Sequence, residues 1–393
     1  MRPIVDIIPL QYLASGDRLS LQVYKFIGEH PGKKVYIQSN LHGNELAGNA
    51  VIHQVMEWLS QLKATQVEGE IWLVPVCNPV GVNQRSLHYA SGRFSPYDGD
   101  NWNRIFWSYK PSETDLVAFA KAHADQDTAT IEQHYRQQIQ AAFARLKDEV
   151  YAASGVPFSE KYRYILQSLC LDANYVIDLH TSVDFGVSYV YYFRDRQHHA
   201  ARFGLEWSIL LDWYDGDAFD EAFIKPWLAL EACFAQLNQP LHLDVEAYTC
   251  ELGSGMQMDS DAIARGVNGI QHYLIDKGIV TEVTPVRSLP PTQFANRTQM
   301  LRYYAPTGGI VQTRVALGSL VQAGDILYEL LTFNKTGEPP QAIAVRAERK
   351  GWVFDVAINH AVNEGEYVLG LVLQPTVQSD RPDATTLLTF PTA

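Results

Sequence analysis

The sequence predicts an α/β protein: a mixed, mostly parallel sheet with helices on both faces, followed by a small all-β domain. Three observations carry the prediction. Strand-like apolar runs alternate with segments of helical periodicity through roughly the first three quarters of the chain. A proline cluster, Pro285, Pro290 and Pro291, then marks a linker, after which short β-type runs are punctuated by Gly. The length of 393 residues, with 47% hydrophobic and 19% charged, suits a folded chain of two domains. The expected boundaries are 1–288 and 289–393.

Lys34 to Ser39 and Ile71 to Val76 read as buried strands. Between them Leu46, Ala50, Val55 and Leu59, with Val51 and Leu62, recur at helical spacing, so the three segments form a βαβ unit. Residues 111–168 are Gln- and Ala-rich, with a stripe of Ile131, Tyr135, Ile139, Phe143 and Leu146, and read as a helical excursion packed on the core. Tyr175 to Leu179, Ser188 to Phe193 and Ala247 to Leu252 supply further strands. Ile263, Val267, Ile270 and Leu274 mark a helix that stops at Gly278.

Composition excludes several functions. A net charge of −13 offers no field for phosphate backbones or anionic lipid, so neither nucleic acid nor membrane is an expected partner. The first residues, with Asp6 and Pro9 interrupting an apolar patch, lack a cleavable leader pattern, and no apolar run reaches the ~20 residues of a membrane span. Cys77, Cys170, Cys233 and Cys250 stand singly in apolar surroundings, as buried reduced thiols of a cytoplasmic protein would.

The chemistry concentrates at strand ends. Asn40-Leu41-His42-Gly43-Asn44-Glu45 lies where the first strand passes into its helix, the crevice in which open α/β sheets bind ligands. The His-x-x-Glu spacing lets His42 and Glu45 converge on one ion, and His180, ending the strand with Asp178 and Leu179, supplies a third ligand. Two His, one Glu and a water make the open tetrahedral site of a hydrolytic zinc. Glu251, followed by Leu252 and Gly253 at another strand end, is placed to accept the water's proton and return it to the leaving nitrogen. Tyr248 falls on the opposite strand face by alternation.

Residues 35–255 resemble the succinylglutamate desuccinylase/aspartoacylase family, relatives of the zinc carboxypeptidases. The matches run in order: His42 and Glu45 in His-Gly-Asn-Glu, Asn78-Pro79-Val80-Gly81, Gly92-Arg93 with Pro96 and Asp98-Gly99, Asn103-Arg104-Ile105-Phe106, Asp178-Leu179-His180 and Glu251-Leu252-Gly253. The resemblance implies that His42, Glu45 and His180 bind one zinc per chain and that Glu251 is general base and acid. It further implies that Arg93, rather than Arg85, polarises the scissile carbonyl. Asn103 and Arg104 would grip a substrate carboxylate, a role suited to a guanidinium. The family's usual Asp is replaced by Asn101, which can accept a hydrogen bond from the first zinc histidine but brings no charge. Trp102 replaces a Leu and is expected to reshape the adjoining pocket.

The tail carries an internal echo. Gly309-Ile310-Val311 with Val321-Gln322-Ala323-Gly324-Asp325 is repeated as Gly351-Trp352-Val353 with Val362-Asn363-Glu364-Gly365-Glu366. This duplication resembles the biotinyl and lipoyl carrier domains, but only Lys335 and Lys350 lie near the place of a modified lysine, so a carrier-like fold without carrier function is expected. In the family such a domain narrows access to the site. Phe193-Arg194-Asp195-Arg196 with His198 and His199 reads as a charged turn, with a second cation site as the sharper alternative.

The sequence therefore predicts a zinc-dependent deacylase acting on a small, carboxylate-bearing N-acyl amino acid, its assembly state open and a homo-oligomer included. The alternatives are a zinc carboxypeptidase acting on peptides and a catalytically silent zinc-containing binding protein.

Overall fold

The computed structural model describes residues 1–152, 155–214, 216–281 and 287–373. Pro285 and the last residues of the expected tail domain lie outside them. A nine-stranded mixed sheet organises the first three quarters of the chain. In chain order its strands are β1 (Ile4–Tyr12), β2 (Arg18–Ile27), β3 (His30–Ser39), β4 (Glu68–Val74), β5 (Tyr175–Ser182), β6 (Ser188–Tyr192), β7 (Trp207–Leu210), β8 (Glu246–Ser254) and β9 (Gln293–Asn296). They lie side by side as β1-β2-β4-β3-β5-β8-β6-β7-β9. The central run β4-β3-β5-β8 is parallel, while β2 joins β4, and β6 joins β8, antiparallel.

Alternation along the strands sends two sets of side chains to two cores. Val35, Ile37, Ile177 and Cys250 face helices α1 (Ala47–Gln61) and α6 (Ser260–Asp276). Tyr36, Val176 and Ala247 face the layer formed by α2 (Glu113–Ala122), α3 (Thr128–Ala144), α4 (Phe158–Ser168) and α5 (Phe219–Gln236). The expected excursion at 111–168 is thus the helical cover of one face. Its stripe is core: Ile131, Tyr135, Ile139 and Phe143 are all buried. The four cysteines are buried thiols.

Two features differ from expectation. The opening residues pair as the β1–β2 hairpin at one edge of the sheet. Gln293–Asn296, expected beyond the linker, instead pairs in parallel with β7 and forms the other edge. The tail strands follow it.

These are β10 (Met300–Tyr304), β11 (Gly309–Arg314), β12 (Leu320–Val321), β13 (Ile326–Thr332), β14 (Gln341–Arg346), β15 (Gly351–Val356), β16 (Ala361–Val362) and β17 (Tyr367–Leu373). They form two small sheets, β10-β17-β15-β12 and β14-β13-β11-β16. The repeated sequence has a structural counterpart: β11 of the first copy pairs with β16 of the second, and β15 of the second with β12 of the first. A two-residue strand, Phe185–Gly186, which follows β5, adds to β15. Tyr189 and Ile209 of the large sheet, with Val187 just before β6, then share an apolar cluster with Phe354 and Val372 of the tail.

Candidate active site

The turn that carries the first pair of functional side chains is held on three sides. At the end of β3, Asn40 adopts a left-handed backbone (φ 63°), a conformation Asn tolerates better than most residues. Its side-chain Nδ2 donates to the Glu45 carbonyl at 2.6 Å, closing the turn. Asn78 caps the short helix Pro79–Asn83 by accepting from Gly81 N–H, and its own amide donates to the Leu41 carbonyl at 2.8 Å. Gly43 N–H donates to Gly92 at 2.8 Å. Gly43, Gly81 and Gly92 meet backbone to backbone: a Cβ on Gly43 would lie 1.9 Å from Gly81, and one on Gly92 equally close. The motif glycines are thus the contact by which three turns lock together, with Arg93 next in chain.

Within this frame, His42 Nδ1 lies 2.8 Å from Glu45 Oε1, and His180 Nδ1 lies 2.8 Å from Glu45 Oε2. The outer nitrogens are occupied: His42 Nε2 meets Asn101 Oδ1 at 2.8 Å, and His180 Nε2 meets Asp178 Oδ2 at 2.9 Å. Both acceptors require an Nε2–H, which leaves the Nδ1 lone pairs facing inward. All three side chains are nearly enclosed, at 4% (His42), 2% (Glu45) and 3% (His180) exposure. Two inward imidazole nitrogens and one carboxylate, held from outside and open to a cleft on one side, fit a borderline transition ion, and these residues could hold one.

The local charges follow from this enclosure. Burial works against ionised Glu45, but His42 and His180 together hold it far below the ordinary carboxylate range. Burial lowers His42. For His180 burial is outweighed by Asp178 and Glu45, which raise it. Glu251, paired in register with His180 across β5 and β8, is pushed up to about 8 by burial and by the charge of Glu45.

Arg93, Asn103, Arg104 and Glu251 line the same cavity of about 370 Å³, while Asn101 lies behind His42. Arg93 Nη1 lies 3.2 Å from both Glu45 Oε1 and His42 Nδ1. Asn101 Oδ1 also accepts from Asn103 N–H at 2.9 Å. Asn103 Oδ1 accepts from Phe219 N–H at 2.8 Å, which fixes the amide with its NH₂ as the remaining polar group. Arg104 donates to the Asn103 carbonyl and faces the cavity. Arg85, by contrast, is exposed and bonded to the Val82 and Gln84 carbonyls. Trp102 does not shape the pocket: it is fully buried against Phe158 and Tyr162.

Sequence reasoning assigned no role to two sets of residues, one behind His180 and one on the cavity wall. Asp178 was legible as Asp-x-His on one strand face, where a residue two before the ligand can hold its outer nitrogen. Arg302, Tyr304, Asp355 and Tyr367 come from the tail, and no local pattern announces that they face His180.

The expected charged turn is a structural network. Arg196, 1% exposed, pairs through two bonds with Glu231. His198, His199 and Asp276 lie together, but Arg202 occupies Asp276 at 2.9 Å and reaches His198 at 3.1 Å. Tyr248 is on the face away from Glu251, as alternation requires, and donates to Glu246 at 2.9 Å. No helix among the described residues is long and apolar enough to cross a membrane.

Comparison with known proteins agrees with this geometry. Residues 31–148 match the succinylglutamate desuccinylase/aspartoacylase catalytic domain. The N-alpha-acetyl-L-2,4-diaminobutyric acid deacetylase of Halomonas elongata is 23% identical over 348 residues, covering 86% of this chain and 81% of that one. Two crystal structures of proteins assigned to the same family superpose over nearly the full chain. That from Shewanella amazonensis is 29% identical, with a TM-score of 0.81 over 94% of this chain and 98% of its own. That from Shewanella frigidimarina is 26% identical, with a TM-score of 0.83 over 95% and 97%. Over residues 31–148 in sequence, and over nearly the whole chain in fold, the protein is thus similar to the succinylglutamate desuccinylase/aspartoacylase family.

Proposed function

We propose that this protein is a zinc-dependent amidohydrolase that removes the acyl group from a small, carboxylate-bearing N-acyl amino acid, with one zinc held by His42, Glu45 and His180. The observation that carries the reading is the pair of inward Nδ1 atoms fixed from behind by Asn101 and Asp178, with Glu251 beside them at the edge of an open cleft. Zinc in such a ligand set supplies an acidified water and a Lewis acid for the carbonyl.

The remaining chemistry belongs to the chain. Glu251, raised by burial, takes a proton near neutral pH and returns it to the departing nitrogen, as a base whose pKa lies close to the working pH does best. Arg93 reaches the ligand cluster and stabilises charge on the carbonyl oxygen. Arg104 and the Asn103 amide NH₂ bind the substrate carboxylate, the first by charge and the second because its oxygen is already engaged by Phe219. Deacetylation of an acylated amino acid by the Halomonas elongata relative supports the reaction class.

The tail strands, Met300–Tyr304 to Tyr367–Leu373, act as a wall of the site rather than as a carrier. Arg302, Tyr304, Asp355 and Tyr367 bound the cavity and leave about 370 Å³, which favours a compact substrate over the peptide of a carboxypeptidase. Buried thiols support a reducing, cytoplasmic setting.

The test is metal analysis of wild type, His42→Ala and Glu251→Gln, with turnover of N-acetyl, N-succinyl and dipeptide substrates on the same samples. The expected outcome is near-stoichiometric zinc in wild type and Glu251→Gln but not in His42→Ala. Turnover should occur only on N-acyl amino acids and fall by about 10²–10⁴ in Glu251→Gln. Zinc on wild type without turnover of any of these substrates would move the silent zinc-containing binding protein to the front, and a wild type that cannot be loaded with zinc would overturn the zinc reading.

A further inference from the structure

The cavity wall carries a charge that the hydrolytic steps do not use. Most of its carboxylates are engaged by the protein itself. Glu45 lies between two histidines, Asp184 accepts from the Ile358 N–H at 3.0 Å, Asp355 from Ser182 and Tyr367, and Glu221 Oε2 from the Gly216 N–H at 3.0 Å. Glu251 and Asp220, on the same wall, differ: each has one enclosed oxygen, Oε2 and Oδ2, without a hydrogen-bond partner among the described residues. Glu251 is the proton carrier of the proposed reaction. Asp220 has no part in it, yet it lines the cavity and is only 2% exposed.

Asp220 stands in the first turn of α5, where the helix dipole favours an acid. That effect needs no burial, and Glu113 and Asp115 in the first turn of α2 are exposed. Enclosing a carboxylate oxygen without a donor is costly. Arg93 and Arg104, on the same wall, are turned to Glu45 and to the Asn103 carbonyl.

The place of Asp220 fixes which part of a substrate it meets. Its chain neighbour Phe219 donates its N–H to Asn103 Oδ1 at 2.8 Å, so Asp220 follows directly on the backbone that holds the carboxylate-binding amide. In an N-acyl amino acid that carboxylate belongs to the amine half, and the side chain branches from the same carbon. The scissile amide, at the ligand cluster and Glu251, separates this half from the acyl group. The amino-acid side chain is therefore the group that comes to Asp220, and a positively charged donor is what an enclosed, unpaired carboxylate selects.

We propose that Asp220 is a specificity-determining residue that receives an ammonium group on the substrate's side chain, so that the favoured substrates are Nα-acyl derivatives of basic amino acids. A neutral side chain of the same length leaves the buried carboxylate unpaired, and an acidic one sets a like charge against it, so the same group disfavours both.

This inference rests on the hydrolase reading above. The test is kcat/KM of the full-length, zinc-loaded wild type, Asp220→Asn and Asp220→Glu on the Nα-acetyl and Nα-succinyl forms of lysine, ornithine and norleucine. Norleucine matches ornithine with a methyl in place of the ammonium. Ratios taken within one preparation cancel differences in folding and metal content. In wild type the better basic substrate should exceed norleucine by about 10–100-fold. Asp220→Asn should bring that ratio to about one, because the amide keeps the shape without the charge. Asp220→Glu should keep the preference and raise ornithine relative to lysine, since its carboxylate reaches one methylene further, and this arm decides should the Asn variant not fold. A wild-type ratio of about one or below overturns the proposal, and so does a preference of about tenfold that persists in Asp220→Asn. An ornithine-to-lysine ratio that does not move in Asp220→Glu overturns it as well. A wild type without zinc, or without turnover of any Nα-acyl amino acid, overturns this inference and the hydrolase reading together, whereas turnover with no preference for the ammonium overturns only this one.

Discussion

His42 and His180 present the same nitrogen to the same carboxylate, but their outer partners differ by one charge: an amide at Asn101, a carboxylate at Asp178. A carboxylate makes its histidine the more basic ligand, so His42 is the weaker of the two. Asn101→Asp should therefore tighten zinc about tenfold in a chelator competition, and an unchanged or weaker affinity would show that the amide oxygen suffices. At this scale the sequence was informative where a functional residue ends a strand. His42 and Glu45 follow the end of β3, His180 and Glu251 lie near the ends of β5 and β8, and all four line the cavity. It was silent where a residue acts across the fold. Asn103 meets the Phe219 N–H only because the start of α5 packs beside the turn at Trp102–Arg104, a contact that leaves no trace in the spacing of either segment.

The turns between the elements carry the densest constraint. Gly43, Gly81 and Gly92 approach so closely that any side chain would overlap backbone. Gly92→Ala should cost about 3 kcal/mol in urea unfolding, at the upper end of overpacking effects. It should lower turnover further than stability alone explains, because Arg93 is displaced with it. Equal turnover per folded molecule would count against the lock. Most helices were legible because one face is buried and the other is not, and the central strands because both faces are buried, which leaves continuous apolar runs. Periodicity does not mark α5, in which Phe219 through Ile224 are buried in succession, so no polar stripe breaks the pattern. The β1–β2 hairpin is hidden for the converse reason: Ile4, Val5 and Ile7 are apolar yet exposed.

Across the whole molecule the tail joins the catalytic layer through a few polar contacts beside an apolar seam. Asp355 accepts from Ser182 and, at 2.8 Å, from Tyr367, and burial pushes its carboxyl up to about 6 from 3.8. The folded chain thus keeps a proton there that the unfolded chain has released, so this group's contribution to stability falls as pH rises from about 4 through 6. Asp355→Asn should gain on wild type by about 2 kcal/mol between pH 4 and pH 8 in denaturant unfolding, and a difference that does not vary with pH would contradict this. The tail's position over the site could not be read from its sequence. The repeat points to a duplicated β unit, but its docking depends on the Phe185–Gly186 strand, which is too short to carry a pattern.

That small strand also fixes an order of events. A chain made from its N-terminus presents His42 and Glu45 early, His180 after more than a hundred further residues, and the partner of Phe185–Gly186 only when Gly351–Val356 has emerged. Until then, the edge that follows His180 has no tail strand to pair with, and the cavity lacks the wall that bounds it. The enclosed site is therefore a late product of synthesis. A ribosome-bound chain stopped short of residue 351 would carry all three ligand side chains and Glu251, and still lack the shape that selects a substrate.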